Sequence, residues 1–362
     1  MTAPTRPARP EEDTSLRPVP WRRMAWVTWR QHRIALGGVA VLLGAVAVYV
    51  WLTGLQLHHA WSAATACHPA SSLACQNMVY NFDGAYAPTG QNIAALLQLV
   101  PALIGAFVGA PVLARELETG TFRYTWTLAF GRSRWTLAKL VPLAVTMAAA
   151  TGVFSLLLSW YYQPFFAAGA RIPLDPSLFD LRGVAFAGWT LAAFAIGALA
   201  GMLIRRVVLA IAATLAAYAG LALAAGLYLQ EHYLPPLVTS NLNLNLGLTL
   251  NPGLNLPGSA LILSRWWTKG GTTLSQATLD QVINPLFQRL MPVVPKDDVH
   301  LYKGPTYLNV LQYLTHHGYT QWTQYQPGSR FWPFQWIEGG WLLALSVLLI
   351  AATVWLVRRR AA

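Results

Sequence analysis

Six apolar stretches of membrane-spanning length constrain this chain more than any other feature. They are about Ile34–Leu55, Ile93–Leu113, Leu140–Tyr162, Val184–Ile204, Val207–Leu229 and Gly339–Val357. A helix needs roughly 20 apolar residues to cross the ~30 Å hydrocarbon core of a bilayer. Only 10% of the 362 residues are charged, against roughly 25% in a soluble domain. We therefore predict an all-α membrane protein with six transmembrane helices.

The distribution of charge predicts the orientation. Only Arg205 and Arg206 separate the fourth and fifth stretches, so a tight hairpin is expected there. Six spans put both termini on one side, and the positive-inside rule assigns that side to the cytoplasm. In this orientation the cytoplasmic segments hold seventeen of the 25 lysines and arginines and the whole net charge of +12.

The segments then divide as follows. Residues 1–20 are rich in proline and arginine and predict a disordered cytoplasmic tail. Residues 21–33 predict an amphipathic helix, and residues 34–229 hold the first five spans with a cytoplasmic loop at 114–139. Residues 230–338 predict a large extracytoplasmic region, and residues 339–362 hold the sixth span and a basic end.

The extracytoplasmic segments carry three further patterns. Cys67 and Cys75 fall on the oxidising side, which favours a disulfide over two free thiols. Leucine alternates with Asn, Gly or Thr at 241–258, which is typical of an extended edge, and 305–318 predicts an amphipathic helix. The adjacent histidines His58–His59 and His316–His317 are more simply read as solvated or interfacial than as metal ligands.

Several function classes lack their signatures. None of the six stretches contains Asp, Glu, Lys, Arg or His, whereas ion-coupled carriers generally place such groups at membrane depth. The chain has no phosphate-binding GxxxxGK[ST] loop and no HExxH motif. We expect no catalytic residue, no metal ligand and no cofactor bound by this chain, so an ATPase would have to be a separate protein.

The stretch RELETGTFRYTWTLAFGRSRWTLAKL at 115–140 is the most polar part of the middle of the chain. Glu116 and Glu118 are two residues apart and point to different sides of a helix, so they are not a paired acid–base site. Arg115 and Glu118 are spaced to pair on one helical face. Gly120 permits a helix end with positive φ. An aromatic run follows, and Gly131 ends it.

The order R-E-x-E-x-G-T-x-R followed by R-x-x-x-x-K resembles the cytoplasmic loop of the permease subunits of type-2 ABC exporters. The resemblance implies that a short helix between spans two and three contacts the ATPase. The matching positions are Arg115, Glu116, Glu118, Gly120, Thr121, Arg123, Arg134 and Lys139. The segment at 20–33 is similar to the connecting helix of that family, and 325–360 is similar to a bacterial subset of it.

The resemblance implies a permease that pairs with itself and with two copies of an ATPase, which binds ATP and magnesium. Such a 2:2 complex would lie in the bacterial cell membrane, with lipid as its surroundings and no nucleic acid as a partner. The permease copies would face each other through spans two and five, which makes Gln98, Pro101, Thr214 and Tyr218 candidate pathway residues. Ordinary packing is the alternative for each of them.

The uncharged spans predict a hydrophobic or amphipathic cargo, such as a lipid, a natural product or a lipophilic peptide. ATPase closure would push on residues 119–134, and the Arg115–Glu118 pair would carry the push into span two. Two other functions stay open at this point. A membrane-anchored binding or sensor protein would use the outer region without an ATPase, and a secondary carrier would need ionisable groups within the spans.

Overall fold

The computed structural model describes residues 21–68, 73–120, 132–169, 171–240, 260–290, 313–314 and 316–360. Within these residues six helical segments are long and apolar enough to cross a bilayer, which confirms the six predicted spans. They cover Gly37–Thr65, Asn77–Thr119, Ser133–Ala167, Ala185–Ile204, Val207–His232 and Gly328–Arg359. The fold is mostly helical, and several helices continue well past the apolar stretches that predicted them.

The first two spans are long and differ in regularity. Helix α1 (Trp21–Thr65) is continuous, so the segment expected to form a connecting helix runs directly into the first span. The second span consists of α2 (Leu73–Gln98), α3 (Val100–Ile104), a π-helical turn (Gly105–Gly109) and α4 (Ala110–Thr119). The break between α2 and α3 precedes Pro101, whose nitrogen has no hydrogen to donate to the preceding turn. The proline therefore accounts for the break in the second span.

The next three spans follow closely along the chain. Helix α5 (Arg132–Ala167) is the third span, and the short α6 (Pro176–Phe179) leads to α7 (Ala185–Ile204), the fourth. Arg205 then has a φ of 59° and Arg206 is extended, which confirms the tight hairpin. The fifth span joins three pieces, namely α8 (Val207–Ala224), a π-helical turn (Ala225–Leu229) and α9 (Gln230–His232).

A small antiparallel sheet separates the fifth and sixth spans, and the sequence did not predict it. It contains β1 (Leu237–Ser240), β2 (Leu261–Lys269), β3 (Thr272–Leu274) and β4 (Tyr319–Gln326) in the order β1-β4-β2-β3. Helix α10 (Gln276–Leu290) follows β3, and the sixth span is α11 (Phe331–Arg360). We call the end of the bundle next to this sheet the sheet end and the opposite end, at Arg205–Arg206, the turn end.

Helix α10 packs on the sheet through an apolar cluster of its own. Trp267 and Tyr319 from the strands contact Leu279 and Ile283 from the helix, and Leu314 completes the cluster. Leu314 belongs to the helix predicted at 305–318, most of which lies outside the described residues. The Leu–Asn alternation at 241–258 and the tail at 1–20 also lie outside them.

The fourth span, α7, is the centre of the bundle and packs against the second, third, fifth and sixth spans. Glycine allows its closest approach to the second span. A Cβ at Gly105 would lie 2.5 Å from the carbonyl oxygen of Ala193, and a Cβ at Gly197 would overlap the carbonyl oxygen of Gly105. Gly109 and Gly201 repeat this arrangement one turn further on. Small residues four apart are what lets helix backbones meet in a bilayer.

Replacing Gly197 with alanine should therefore destabilise the bundle, because the new methyl group meets backbone that cannot move aside. We expect a loss of about 1–3 kcal/mol, as in other overpacked cores, measured as a lower thermal midpoint of the detergent-solubilised protein. The matched control is Gly44→Ala in α1, where a Cβ meets nothing within 4 Å. Equal midpoints for the two variants would refute this account of the contact.

Candidate coupling site and transport pathway

The turn end contains most of the residues predicted to couple to an ATPase. Helix α4 ends at Thr119, and Gly120 follows with a φ of 70°, which confirms the predicted helix end. Residues 121–131 lie outside the described residues, and these include Thr121 and Arg123. Arg115 and Arg134 are exposed on either side of this segment.

A buried ion pair ties the second span to the third at this end. The Nζ of Lys139 donates to Oε1 of Glu116, and Lys139 is only 4% exposed. The ammonium group also lies 5.2 Å from the centre of the Trp135 ring. The second carboxylate oxygen of Glu116 is buried and has no partner among the described residues. The sequence placed both residues in the loop but did not predict that they pair.

A second carboxylate ties the second span to the fifth. The Oε2 of Glu118 accepts a hydrogen bond from the backbone N–H of Val207, at 3.1 Å. This N–H belongs to the first turn of α8, where backbone donors have no partner within the helix. A negative charge at a helix N-terminus is also favoured by the helix dipole. The predicted Arg115–Glu118 pair is wrong, because Glu118 turns to the fifth span and makes no ion pair with Arg115.

The four candidate pathway residues each have a partner within the chain. Gln98 donates from Nε2 to the carbonyl oxygen of Ser177, at 2.9 Å. Pro101 is buried at the start of α3. Thr214 is fully buried and donates to the carbonyl oxygen of Ala210 in its own helix. The Tyr218 ring packs edge-on against Trp189, with the ring centres 5.7 Å apart. Their role in a pathway stays a prediction.

An apolar groove of 340 Å³ lies between the first and second spans. Its lining is formed entirely by apolar residues of α1, α3 and the π-helical turn, among them Leu42, Leu103 and Phe107. Such a groove offers dispersion contacts and no hydrogen-bond partner, so it suits an alkyl chain better than a polar solute.

The expectation of uncharged spans needs correction, because the helices extend past the apolar stretches and include Asp83 in the second span and Glu338 in the sixth. Helix α11 begins eight residues before the apolar stretch, so Glu338 lies inside the sixth span and is only 2% exposed. Its Oε1 accepts from Nε1 of Trp189 at 2.6 Å, and its Oε2 accepts from the hydroxyl of Tyr233 at 3.1 Å. The sequence did not predict the burial of Glu338, because this residue precedes the apolar stretch. It lies in the sixth span only because α11 begins before that stretch.

The cysteines and histidines of the sheet end have structural contacts. Cys67 and Cys75 form a disulfide with a Cα–Cα distance of 5.5 Å. His58 stacks on Trp160 at 4.5 Å between ring centres, and its Nε2 lies 3.0 Å from the Trp160 carbonyl oxygen. His317 stacks on Tyr313. These contacts hold the rings of His58 and His317 against neighbouring aromatic side chains.

Six helical spans packed around a close glycine contact define a multi-pass membrane protein. A family model described as "ABC-2 membrane transporter related" matches residues 40–230. The chain belongs to this family, and it is a permease-type membrane component of a transporter. Neither the comparison with curated proteins nor that with solved structures finds a match.

The ion pair of Lys139 and Glu116 makes a direct prediction about stability. In Glu116→Leu the Lys139 charge stays buried without its partner, so we expect a loss of about 3 kcal/mol. Adding Lys139→Met removes the buried charge and should restore most of the loss. Thermal midpoints in detergent measure both effects.

Arg115→Leu is the control, since Arg115 is exposed on the same helix. If Glu116→Leu melts at the native temperature, the ion pair contributes nothing to the stability of the turn end. If the double variant is no more stable than Glu116→Leu, the loss does not come from the unpaired lysine.

Proposed function

We propose that this chain is the membrane subunit of an ATP-driven exporter in a bacterial cell membrane. It pairs with a second copy of itself and with two copies of a separate ATPase, which binds ATP and magnesium. The turn end faces the cytoplasm and the sheet end faces outwards. The cargo is hydrophobic or amphipathic. Members of this permease family generally work with an ATPase subunit, and the charge distribution supports the orientation.

The hydrogen bond between Glu118 and Val207 carries the coupling proposal. Glu118 is the second-last residue of α4, just before the segment expected to contact the ATPase. A push on that segment would reach the fifth span through Glu118 and the third span through Glu116 and Lys139. A push on the C-terminal end of α4 would therefore move the second, third and fifth spans together. It would not need the Arg115–Glu118 pair that the sequence suggested.

The exposure of the fifth span supports pairing between two copies. Within the chain, only 11% of its apolar stretch is buried, compared with 17% in the first span, 22% in the sixth and 67% in the second and fourth. Leu223 and Leu227 on this span are 63% and 66% exposed. In the proposed homodimer this face meets the second copy, and lipid covers the remaining exposed surfaces.

The proposed class of cargo is inferred from the side chains that line the membrane-spanning helices. The groove between the first and second spans is apolar throughout. Among the described residues of the spans, Glu338 is a buried carboxyl group, and its oxygens are already occupied by Trp189 and Tyr233. A cargo with an alkyl or ring system therefore finds more favourable contacts than an ion does.

Glu118→Ala tests coupling directly, because it removes the acceptor for the Val207 N–H. We expect ATP-dependent uptake of a lipophilic fluorescent cargo into inside-out vesicles, and ATP hydrolysis stimulated by the permease, to fall about fivefold. This corresponds to the loss of about 1 kcal/mol of coupling. Arg123→Ala should reduce the same activities, since Arg123 lies in the proposed docking segment.

Glu118→Gln is the matched control, since its amide oxygen can still accept the hydrogen bond and most of the activity should remain. Glu231→Gln, an exposed carboxyl group near the sheet end, should leave both activities at the native level. Native activity in both Glu118→Ala and Arg123→Ala would contradict the coupling role. Uptake without the ATPase would contradict the ATP-driven mechanism.

A further inference from the structure

Arg182 is a cation at the sheet end of the bundle, in the segment that joins α6 to α7. Its guanidinium carbon lies 4.2 Å from the centre of the Phe166 ring and 4.8 Å from that of the Phe331 ring. Two of its nitrogens, Nε and Nη1, are buried and have no hydrogen-bond acceptor in the part of the chain that the structure describes. A guanidinium group carries five N–H donors, so most of the donors of Arg182 lack a partner there.

The neighbouring charges favour an anion at this position. Neither of the two ion pairs among the described residues includes Arg182. Arg330 directly precedes Phe331, and its Nη1 donates to the neutral oxygens of Pro235 and Gln326. Two positive charges therefore lie here without an ion pair to a described carboxylate. Burial lowers the pKa of Arg182 to about 10, so the group is still protonated at neutral pH.

The two rings determine which part of the guanidinium group stays open. Phe166 lies at the end of α5 and Phe331 at the start of α11, so the group is held between two helix ends. The face of an aromatic ring attracts a cation but does not replace a charged hydrogen-bond acceptor. Nη2 is not among the buried nitrogens, and Arg182 as a residue is half-buried. A ligand would therefore reach Arg182 at Nη2.

Arg182 lies at the level where the helices leave the bilayer. The third span ends one residue after Phe166, and the sixth span begins three residues before Phe331. Directly after Phe331, the side chains of Trp332 and Trp336 are 56% and 64% exposed. Exposed tryptophans are typical of the headgroup region of a membrane. The guanidinium group is therefore expected at the depth of the lipid phosphates.

We propose that Arg182 binds the phosphate group of a phospholipid from the leaflet at the sheet end. The phosphate oxygens accept from Nη2 and supply the anionic partner that the chain itself does not provide. The acyl chains lie along the third and sixth spans, where apolar side chains such as Leu156 and Leu343 are 69% and 52% exposed. A free phosphate would make only the first of these contacts. The site depends on neither the cargo nor the direction of transport.

The segment that carries Arg182 is fixed to the sixth span on both sides. Phe331 packs edge-on against Phe179 at 5.7 Å between ring centres. One turn further along α11, Gln335 donates from Nε2 to the carbonyl oxygen of Phe179 and accepts from the N–H of Ala185. The guanidinium group is therefore held in place before a lipid arrives, which lowers the entropic cost of binding. A lipid bound here should stabilise the sheet end of the bundle.

Thermal unfolding of the full-length protein in an uncharged detergent tests the site. Added phosphatidylglycerol should raise the thermal midpoint, because a ligand that binds only the folded state stabilises it. Diacylglycerol with the same acyl chains, and inorganic phosphate alone, should each give a much smaller increase. An equal increase with diacylglycerol would show that the phosphate is not recognised. An equal increase with inorganic phosphate would identify a free anion as the ligand, and either result would overturn the proposal.

Arg182→Gln removes the charge from the site. We expect the phosphatidylglycerol concentration at half of the full shift to rise about tenfold, as for the loss of one charge-assisted contact. Arg182→Lys keeps the charge without the planar group and should give an intermediate value. Arg171→Gln is the matched control, since Arg171 lies at the same end but is paired with Asp175 at 3.7 Å. A native response in Arg182→Gln, or an equal loss in Arg171→Gln, would contradict the site.

Native mass spectrometry gives a second test on the unmodified chain, which does not depend on the folding of any variant. Phosphatidylglycerol should remain bound at collision energies that remove diacylglycerol, because only the former has a phosphate to pair with Arg182. Loss of both lipids at the same energy would refute the proposal. All these tests use the permease alone, so their failure would leave the proposed export function untouched, and failure of transport would leave this site untouched.

Discussion

The backbones of the second and fourth spans touch at Gly105 and Gly197, with no side chain between them. Lipid is as apolar as the helices, so association within a bilayer depends on such close packing. The third, fifth and sixth spans also pack on the fourth, so their positions in the bundle depend on this contact. The π-helical turn at Gly105–Gly109 lies at the same contact. The polar contacts at the two ends therefore join helices whose spacing is already set by the glycine contact.

Acidic side chains connect the spans at both ends of this packed centre, but in different ways. At the turn end, Glu116 is paired with Lys139, and Glu118 accepts from the start of the fifth span. At the sheet end, the neutral donors Trp189 and Tyr233 both donate to Glu338. In the proposed mechanism the first set transmits movement from the ATPase, and the second holds the sixth span against the fourth span and the end of the fifth.

Hydrophobicity and charge predicted the six spans, the tight turn at Arg205 and the helix end at Gly120, because these follow from local sequence. They did not predict the partners of Glu116 and Glu118, which are set by how distant helices pack. The GxxxG spacing at Gly105 and Gly197 was a usable signal for that packing. No comparable signal marks Glu338, whose burial depends on a helix that starts before its apolar stretch. The strands around Trp267 alternate too weakly between apolar and polar residues to be recognised alone.

Cross-linking to the ATPase tests the central claim most directly, namely that the turn end is the coupling surface. The native cysteines Cys67 and Cys75 are joined in a disulfide, so an introduced cysteine provides the free thiol. A thiol-reactive cross-linker on Arg134→Cys, at the turn end, should join the permease to its ATPase. Ser329→Cys, exposed at the sheet end, should give no such product. A cross-link from Ser329→Cys, with none from Arg134→Cys, would contradict the account.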